Sequence, residues 1–333
     1  MEKNSSPSCL SSCLGSLLLG AIALLGLVSY GTSWYGWPIY LELFSHFQVQ
    51  YLILALVLLG LLVLLRRKSF TLIGLFLCTL LVIPVVSWYV PPQRLLTASS
   101  ETDLRVLVAN INTQNTSYDK VIEMVRSEKP DVAVMIEVNQ TWQEALDSLS
   151  DILPYSSGQP HSSNFGLLVY SNIPLNNTQI QFFGTENIPS VVTQFAVQNQ
   201  PITMVATHPL PPVKPQAFQS RNRQFDLITQ YLESVGDRVI LAGDLNASMW
   251  SPYYRRLENR TGLRNAREGF GILPTWPTSN IYQPIPGWIT SLFLIPIDHC
   301  LISTGWDVTN IHTGAATDSD HRSLVVDLKI THD

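Results

Sequence analysis

The first 65 residues are almost free of charge, and this feature limits the possible folds more than any other. Between Ser5 and Leu65 the only formally charged residue is Glu42. Three apolar runs are long enough to cross a bilayer: Leu14–Tyr30, Tyr51–Leu65 and Phe70–Val90. Aromatic residues crowd the ends of these runs, as is typical of side chains that meet lipid headgroups. The sequence therefore predicts a membrane anchor of about three transmembrane helices over residues 1–92.

Other arrangements of these runs are also possible. The first run alone could be a signal peptide, and the second is short enough for a re-entrant hairpin. The loop Arg66-Arg67-Lys68 is basic, which predicts that it is cytoplasmic. The chain is then a multi-pass protein of the inner or plasma membrane, and residues after the third span lie on the extracytoplasmic (periplasmic) side. Because the spans hold almost no charge, an ion or proton path is not expected.

Beyond the anchor the composition changes. The whole chain is 46% hydrophobic and only 14% charged, but residues 98–333 hold 15 basic and 23 acidic residues. This acidic balance argues mildly against tight nucleic-acid binding. Cys300 is the only cysteine of this part, so no internal disulfide is expected. We predict a linker over residues 93–102 and a soluble domain over residues 103–333.

Strand-like and helix-like segments alternate along the soluble part. Helical periodicity predicts helices at Tyr118–Lys129, Trp142–Leu149 and Gln216–Val235. Apolar, β-branched runs predict strands at Leu104–Ile111, Val132–Val138, Gly166–Tyr170, Thr178–Phe183, Val191–Val197, Thr203–Thr207, Val239–Leu241, Asp298–Ile302 and Ser323–Leu328. Many strands with few helices between them predict an α/β domain in which two sheets pack face to face with helices outside.

Acidic, amide and histidine side chains follow several of these strands directly. The motifs are Asn110-Ile111-Asn112, Ile136-Glu137, Gly243-Asp244-Leu245-Asn246, Ile297-Asp298-His299 and Ser319-Asp320-His321. Each motif alone is common in turns and caps, but five of them beside strands predict one rim of polar side chains. Carboxylate and amide oxygens are hard ligands that suit Mg²⁺ or Mn²⁺. The sequence therefore predicts a divalent-metal site at the strand ends.

Together with Thr207-His208, this series of motifs resembles the signature of the endonuclease/exonuclease/phosphatase superfamily, and the anchor resembles a membrane-bound bacterial branch of it. Supporting matches are Lys129-Pro130-Asp131-Val132, Asn164-Phe165-Gly166-Leu167 and Arg221-x-x-Gln224. The resemblance covers about residues 103–330. It implies a four-layer α/β sandwich, two packed mixed sheets flanked by helices, and metal-dependent hydrolysis of a phosphate ester.

The resemblance also implies a role for each residue. Glu137 would be the principal metal ligand, helped by Asn110 or Asn112, and Asp320 would be a second ligand. His321 would be the catalytic imidazole, oriented by Asp298. Asp244 would position or deprotonate the attacking water, although His321 is the alternative base. Three further roles concern the phosphate and the substrate: Asn246 would hold a phosphate oxygen, His208 would donate to the phosphate, and Asn164, Arg221 and Tyr254 would contact the substrate.

The substrate class stays open at this stage. A phosphodiester of nucleic acid or of a phospholipid headgroup is expected, with the bilayer as a further partner and no obligate protein partner. The alternative is an inactive, membrane-tethered module that binds a phosphate or another ligand. The apolar segment Ile285–Ile297 is expected to be a core-packed β segment or, alternatively, a membrane-facing flap. Tyr253-Tyr254-Arg255-Arg256 predicts either substrate contacts or an ordinary amphipathic helix.

Overall fold

The computed structural model describes residues 9–34, 36, 38–90, 101–184, 188–236, 238–278 and 286–331. The chain forms two compact units. The first comprises Met1–Ser87 and Trp250–Pro252, and the second comprises Trp88–Met249 and Tyr253–Asp333. Most of the predicted linker lies outside the described residues, and the predicted domain boundaries stay predictions.

Within the residues that the structure describes, the N-terminal unit contains four α-helices and a short 3-10 helix (Leu43–His46). The α-helices are α1 (Cys9–Trp34), α2 (Ile39–Glu42), α3 (Gln48–Leu64) and α4 (Lys68–Val86). Buried apolar side chains hold α1, α3 and α4 together, among them Ile22, Leu62 and Leu81. Two helical stretches, Ser11–Trp34 and Lys68–Tyr89, are long and apolar enough to cross a membrane.

The second predicted span differs from a straight helix. Ile39–His46 and Gln48–Leu64 form a helix pair that bends by 68° at residue 47. Such a pair is either one broken span or a re-entrant loop, so two or three apolar helical segments are available to anchor the chain. This agrees with the sequence, which left both arrangements open.

The described residues of the second unit form two six-stranded sheets, and both sheets mix parallel and antiparallel pairs. The first sheet has the order β11-β12-β1-β2-β4-β3 and the second β5-β6-β7-β8-β10-β9. The strands are β1 (Leu104–Asn110), β2 (Val132–Ile136), β3 (Tyr155–Gln159), β4 (Leu167–Ser171), β5 (Asn176–Phe182), β6 (Pro189–Val197), β7 (Gln200–Thr207), β8 (Val239–Asp244), β9 (Arg264–Asn265), β10 (Asp298–Ile302), β11 (Trp306–Thr313) and β12 (Leu324–Ile330). The helices are α5 (Tyr118–Glu128), α6 (Gln140–Leu146), α7 (Pro215–Leu232), α8 (Pro252–Thr261) and α9 (Gly287–Ser291).

Alternation along the strands creates the layers. In β1, Leu104, Val106 and Val108 point into the core between the two sheets. Leu107 and Ala109 point the other way and pack with Val121 of α5 and Trp142 of α6. Helix α7 buries Phe218, Phe225, Ile228 and Leu232. The predicted sandwich of two mixed sheets flanked by helices is confirmed.

Three strands are absent from the sequence prediction: β3, β9 and β11. β3 and β11 are the two edges of the first sheet, and β9, of two residues, is an edge of the second. An edge strand pairs on one side only and is less covered, so its apolar pattern is weak. In β3 the residues are Tyr-Ser-Ser-Gly-Gln, and none of them is buried. The segment therefore lacks the signal that identified its neighbour β4, in which every residue is buried.

A stability prediction arises from Glu258 on α8. Burial, followed by the nearby charge of Glu268, raises the pKa of Glu258 from 4.5 to about 7. A folded-state carboxyl with a raised pKa binds its proton more tightly than in the unfolded chain, so stability falls as pH rises from about 4.5 through 7. Glu258→Gln should remove this loss and still accept the N–H of Asn265. Above pH 7 the variant should be more stable by about 1–3 kcal/mol.

The measurement is the thermal midpoint of the full chain in detergent at pH 5 and pH 8. The midpoint of the parent should fall more between these two pH values than that of Glu258→Gln. Glu123→Gln, at an exposed position of α5, is the matched control and should follow the parent. An equal fall in Glu258→Gln and the parent would contradict the assignment.

Candidate active site

The first sheet brings Asn110 and Glu137 to one rim. Strands β1 and β2 run parallel with Asn110 opposite Ile136, and Glu137 is the next residue of the chain. The backbone of Glu137 has φ 63°, and that of Asn112 has φ 59°. Left-handed backbone is unfavourable for a side chain such as glutamate, and strain of this kind concentrates at functional sites. The backbone conformation therefore marks the end of β2 as a place where a side chain is held in a required position.

The second sheet supplies Asp244 and Asp298. They end β8 and begin β10, and they lie opposite each other in an antiparallel pair. The preceding residue, Gly243, has φ 152°, and a Cβ there would lie 1.8 Å from the carbonyl oxygen of Thr207. Only glycine permits this approach. The close packing of β8 on β7 brings Asp244 beside His208, which follows Thr207.

Three nitrogen atoms from three parts of the chain surround Oδ2 of Asp244. Nδ2 of Asn110 donates to it at 3.2 Å. Nε2 of His208 lies 3.5 Å away and Nε2 of His321 lies 3.7 Å away. Nδ2 of Asn110 also donates to Oε1 of Glu137 at 3.0 Å. One small region of the rim therefore joins both sheets through two carboxylates, two imidazoles and one amide.

His321 is held by two further contacts. Its Nδ1 forms a 2.8 Å hydrogen bond with Oδ2 of Asp298, which fixes the orientation of the ring. Its backbone N–H donates to Oγ of Ser319 at 3.1 Å. The same hydroxyl donates to the carbonyl of Asn110 at 2.7 Å. The loop that carries His321 is therefore tied to the end of β1.

Burial and charge set the protonation of these groups. Burial raises the pKa of Asp244 to about 7, and the charge of Asp298 adds to this. Burial alone would lower the pKa of His321, but the charges of Asp298, Asp244 and Asp320 outweigh it and raise the pKa to about 10. The pKa of His208 is lowered, chiefly by burial. Near pH 7 His321 is therefore protonated, whereas His208 is neutral.

The residues at this rim fit a hard divalent cation. Glu137 is only 8% exposed, and burial raises the pKa of its carboxyl. Within the part of the chain that the structure describes, its hydrogen bonds come from Asn110 and Thr113, and no ion pair neutralises it. A buried carboxylate without an ion pair is costly unless a cation compensates it. The carboxylate oxygens of Glu137 and Asp244 are suited to Mg²⁺ or Mn²⁺, whereas Oδ1 of Asn110 accepts the backbone N–H of Asn112, and its role as a ligand stays a prediction.

A second grouping of possible ligands overlaps this one. Ligand atoms of Asp244, Asp298 and His321 lie within 4.8 Å of one another. Nδ1 of His321, however, is already hydrogen-bonded to Asp298, which is the contact expected of an oriented catalytic histidine. We therefore favour Glu137, with oxygens of Asn110 or Asp244, as the metal ligands.

Asn112 and Asp320 form a clamp beside the site. Nδ2 of Asn112 donates to Oδ1 of Asp320 at 2.6 Å, and Nε1 of Trp276 donates to Oδ2 at 3.1 Å. Both oxygens of Asp320 are therefore engaged in this structure. The role of Asn112 and Asp320 as metal ligands stays a prediction.

The three predicted substrate contacts lie at different depths. Arg221 is fully buried, and its Nη1 donates to the carbonyl of Asn246 at 2.9 Å. Tyr254 is also fully buried, and its hydroxyl accepts from Asn265 at 2.7 Å. Asn164 is half-buried, and its backbone forms a hydrogen bond with His208. Arg221 therefore stabilises the backbone of the Gly243–Asn246 motif from the buried side, and all three substrate roles stay predictions.

Asn246, whose carbonyl accepts from Arg221, is also held by its own hydrogen bonds. Its backbone N–H donates to Oδ1 of Asp244 at 2.9 Å, and its side chain donates to the carbonyl of Pro209 at 3.0 Å. The backbone of Asn246 has φ 49°, the third left-handed residue of the rim. These contacts hold the two ends of the Gly243–Asn246 motif beside the loop after His208.

Sequence reasoning missed two residues of the wall around His321. Trp276 donates to Asp320, and its ring centre lies 6.4 Å from that of His321. Oγ1 of Thr275 accepts the backbone N–H of Asp298 at 3.3 Å. Both residues lie in an irregular segment far from the strand-end motifs along the chain, so no local pattern identified them.

The chain belongs to the Endonuclease/Exonuclease/phosphatase family, whose profile matches residues 107–321. Among solved structures it is similar to D. rerio TDP2 complexed with single strand DNA product, with 16% identity, a TM-score of 0.58, and coverage of 68% of this chain and 98% of that chain. The family protein from Bacteroides vulgatus gives 15% identity, a TM-score of 0.54, and 69% and 100% coverage. The family protein from Beutenbergia cavernae has 19% identity to this chain and a TM-score of 0.51, and the match covers 69% of this chain and 72% of that chain. No curated protein matches the chain. These likenesses establish the fold.

Proposed function

We propose that the chain is a membrane-anchored phosphodiesterase that depends on Mg²⁺ or Mn²⁺. The observation that carries this proposal is the convergence of Asn110, His208 and His321 on one carboxylate oxygen of Asp244, with buried Glu137 beside it. Members of this family generally hydrolyse phosphate esters, and family membership supports the reaction class. Asn110 links the proposed metal ligand to the proposed base.

Glu137 would hold the cation, with an oxygen of Asn110 or Asp244. When bound, the cation offsets negative charge on the phosphate. Asp244, with its pKa raised to about 7, is suited to accept the proton of an attacking water. His321 would carry a proton on Nε2 and stabilise charge on the phosphate or its leaving oxygen, while Asp298 holds the ring. His208 would donate Nε2–H, and Asn246 would hold a phosphate oxygen.

The substrate is a phosphodiester of nucleic acid or of a lipid headgroup. The D. rerio neighbour was solved with a single strand DNA product, which favours a nucleic-acid substrate by analogy. The balance of 15 basic and 23 acidic residues over 98–333 favours a smaller phosphodiester. Apolar helices that fit an anchor favour a substrate at the membrane.

The test is hydrolysis by the full chain, purified in detergent, with Mg²⁺ or Mn²⁺. Substrates are bis-p-nitrophenyl phosphate, plasmid DNA, single-stranded DNA and phospholipid vesicles. We expect metal-dependent turnover that chelation abolishes, and His321→Ala prepared in the same way controls for contaminating nucleases. Metal binding without turnover of any substrate would instead support an inactive binding module.

We also propose that the catalytic domain is extracytoplasmic. Arg67, in the basic loop between α3 and α4, donates to the hydroxyls of Ser11 and Ser12 at 2.8 and 2.6 Å. The start of α1 and this loop therefore lie on one side, which the positive-inside tendency assigns to the cytoplasm. Alkaline phosphatase fused after Asp333 should be active, because it needs an oxidising compartment to form its disulfides. Activity of a cytoplasmic reporter at the same point would reverse the orientation.

A further inference from the structure

Large apolar side chains are clustered on the surface at one place in the second unit. Trp288 is 69% exposed and Leu292 is 56% exposed, and Phe293 beside them is half-exposed. Other exposed large apolar side chains described between residues 101 and 331 are scattered singly: Tyr155, Phe182 and Val213. Single exposed apolar residues are ordinary, but a cluster marks a contact surface. We call Pro286–Phe293, which carries no charge, the apolar projection.

The expected core-packed β segment is wrong for this stretch. Gly287–Ser291 is a short helix, α9. Only the end of the apolar segment enters the core, where Ile295 and Ile297 are buried. The apolar segment is therefore divided: Ile295 and Ile297 are buried in the core, whereas the apolar projection is exposed on the surface.

The residues that follow the projection are hydrogen-bonded to residues beside the candidate active site. Ile295 and Trp276 exchange two backbone hydrogen bonds, at 3.0 and 2.6 Å. Trp276 also donates to Asp320, and Thr275 accepts the N–H of Ile297. A surface held by the projection would therefore lie close to the loop that carries His321.

Gly269 and Gly271, which precede Thr275 and Trp276 in the chain, lie beside the end of a helical stretch that is long and apolar enough to cross a membrane. The carbonyl of Trp88 accepts the N–H groups of Gly269 and Gly271 at 3.0 and 2.8 Å, and all three residues belong to the second unit. The ring of Tyr89 packs against Gly271 so closely that a Cβ there would meet it at 2.6 Å. Trp88 and Tyr89 end the apolar helical stretch Lys68–Tyr89. Such rings prefer the headgroup region, so Trp88 and Tyr89 are expected at the bilayer surface if this stretch spans the membrane.

We propose that the apolar projection contacts the phospholipid bilayer, and that the site acts on a phosphodiester carried by a lipid headgroup. The second half rests on the proposed function. The first half rests on three features: the exposed Trp288 and Leu292, the lack of charge, and the hydrogen bonds of Gly269 and Gly271 to Trp88 at the end of the apolar helical stretch. An aromatic and a leucine on an uncharged surface are suited to insert among headgroups and acyl chains.

The contact is tested with the full chain in vesicles of phosphatidylcholine and phosphatidylglycerol. An environment-sensitive fluorophore is attached to Trp288→Cys or, as a control, to Tyr155→Cys; the signal of the chain without the introduced cysteine is subtracted. Tyr155 lies opposite Ser171, at the end of the first sheet away from the site. We expect blue-shifted emission and quenching by spin-labelled lipids at position 288 but not at 155. Water-like emission at both positions would overturn the contact.

The substrate is tested with Trp288→Ser combined with Leu292→Ser, and with Tyr155→Ser as the control. Hydrolysis of lipid in the vesicles should fall at least about tenfold in the double variant, with bis-p-nitrophenyl phosphate turnover unchanged. Unchanged lipid hydrolysis, or cleavage of DNA but not lipid by the parent, would overturn the lipid assignment and leave the proposed function intact. Absence of all turnover, including that of bis-p-nitrophenyl phosphate, would instead overturn the proposed function, while the fluorescence result still decides the contact.

Discussion

Replacing His321 by alanine is expected to lower kcat for metal-dependent phosphodiester hydrolysis by about 10³-fold, the range of a positioned proton-transfer group. The ring is fixed by Asp298 at 2.8 Å and faces Asp244 at 3.7 Å. Near neutral pH it carries a proton because neighbouring carboxylates outweigh the effect of burial and raise its pKa to about 10. Alanine removes both that charge and the proton donor.

The measurement is kcat and KM for bis-p-nitrophenyl phosphate, with folding checked by thermal unfolding. His312→Ala is the matched control. His312 lies on the edge strand β11 and pairs with Glu128 of α5, so its replacement should leave kcat unchanged. Asp298→Asn should also lower kcat, and its combination with His321→Ala should cost little more than His321→Ala alone, because the two residues act as a unit. Additive losses in the double variant would show that Asp298 acts independently of His321.

The sequence predicted the strand ends well because burial on both faces leaves a strong signal. β1, β2 and β8 are central strands in which nearly every residue is buried, and the polar residues that follow them stand out. Asn110, Glu137 and Asp244 could therefore be recognised from the amino-acid pattern as neighbours on one rim. The order of the strands, in contrast, depends on contacts between distant parts of the chain.

Other features had no local signal. The resemblance implied that Arg221 contacts the substrate, which stays a prediction, but no pattern indicated that its guanidinium lies buried among aromatic rings, including those of Phe218 and Phe225. A buried arginine and an exposed one look alike in sequence. Trp288 shows the reverse case, since an apolar residue expected in the core lies on the surface. In both cases the surroundings of the side chain, contributed by other elements, decide its position.

Replacing Glu137 by glutamine is expected to abolish the stabilisation of the protein by Mg²⁺ or Mn²⁺ without lowering the stability of the metal-free protein. Burial raises the pKa of Glu137 in the folded state. At a pH above the ordinary pKa of a glutamate, the charged form of Glu137 is therefore less favourable in the folded protein than in the unfolded chain. Glutamine removes that charge and keeps an oxygen to accept from Asn110. The metal-free variant should therefore be at least as stable as the parent at pH 7.5.

The decisive quantity is the change in thermal midpoint when the cation is added to the full chain in detergent. A cation at 100 times its Kd should stabilise the parent by about 2.7 kcal/mol, and the variant should show little of this gain because the principal ligand has lost its charge. Glu144→Gln, at an exposed position of α6 shortly after Glu137, is the matched control and should respond like the parent. If Glu137→Gln kept the full metal-induced rise, the cation would be held elsewhere, and the group of Asp244, Asp298 and His321 would become the metal site. His321 would then be a ligand, and its expected role as a proton donor would have to be withdrawn. The same thermal experiment therefore distinguishes a cation held by Glu137 from a cation held by Asp244, Asp298 and His321.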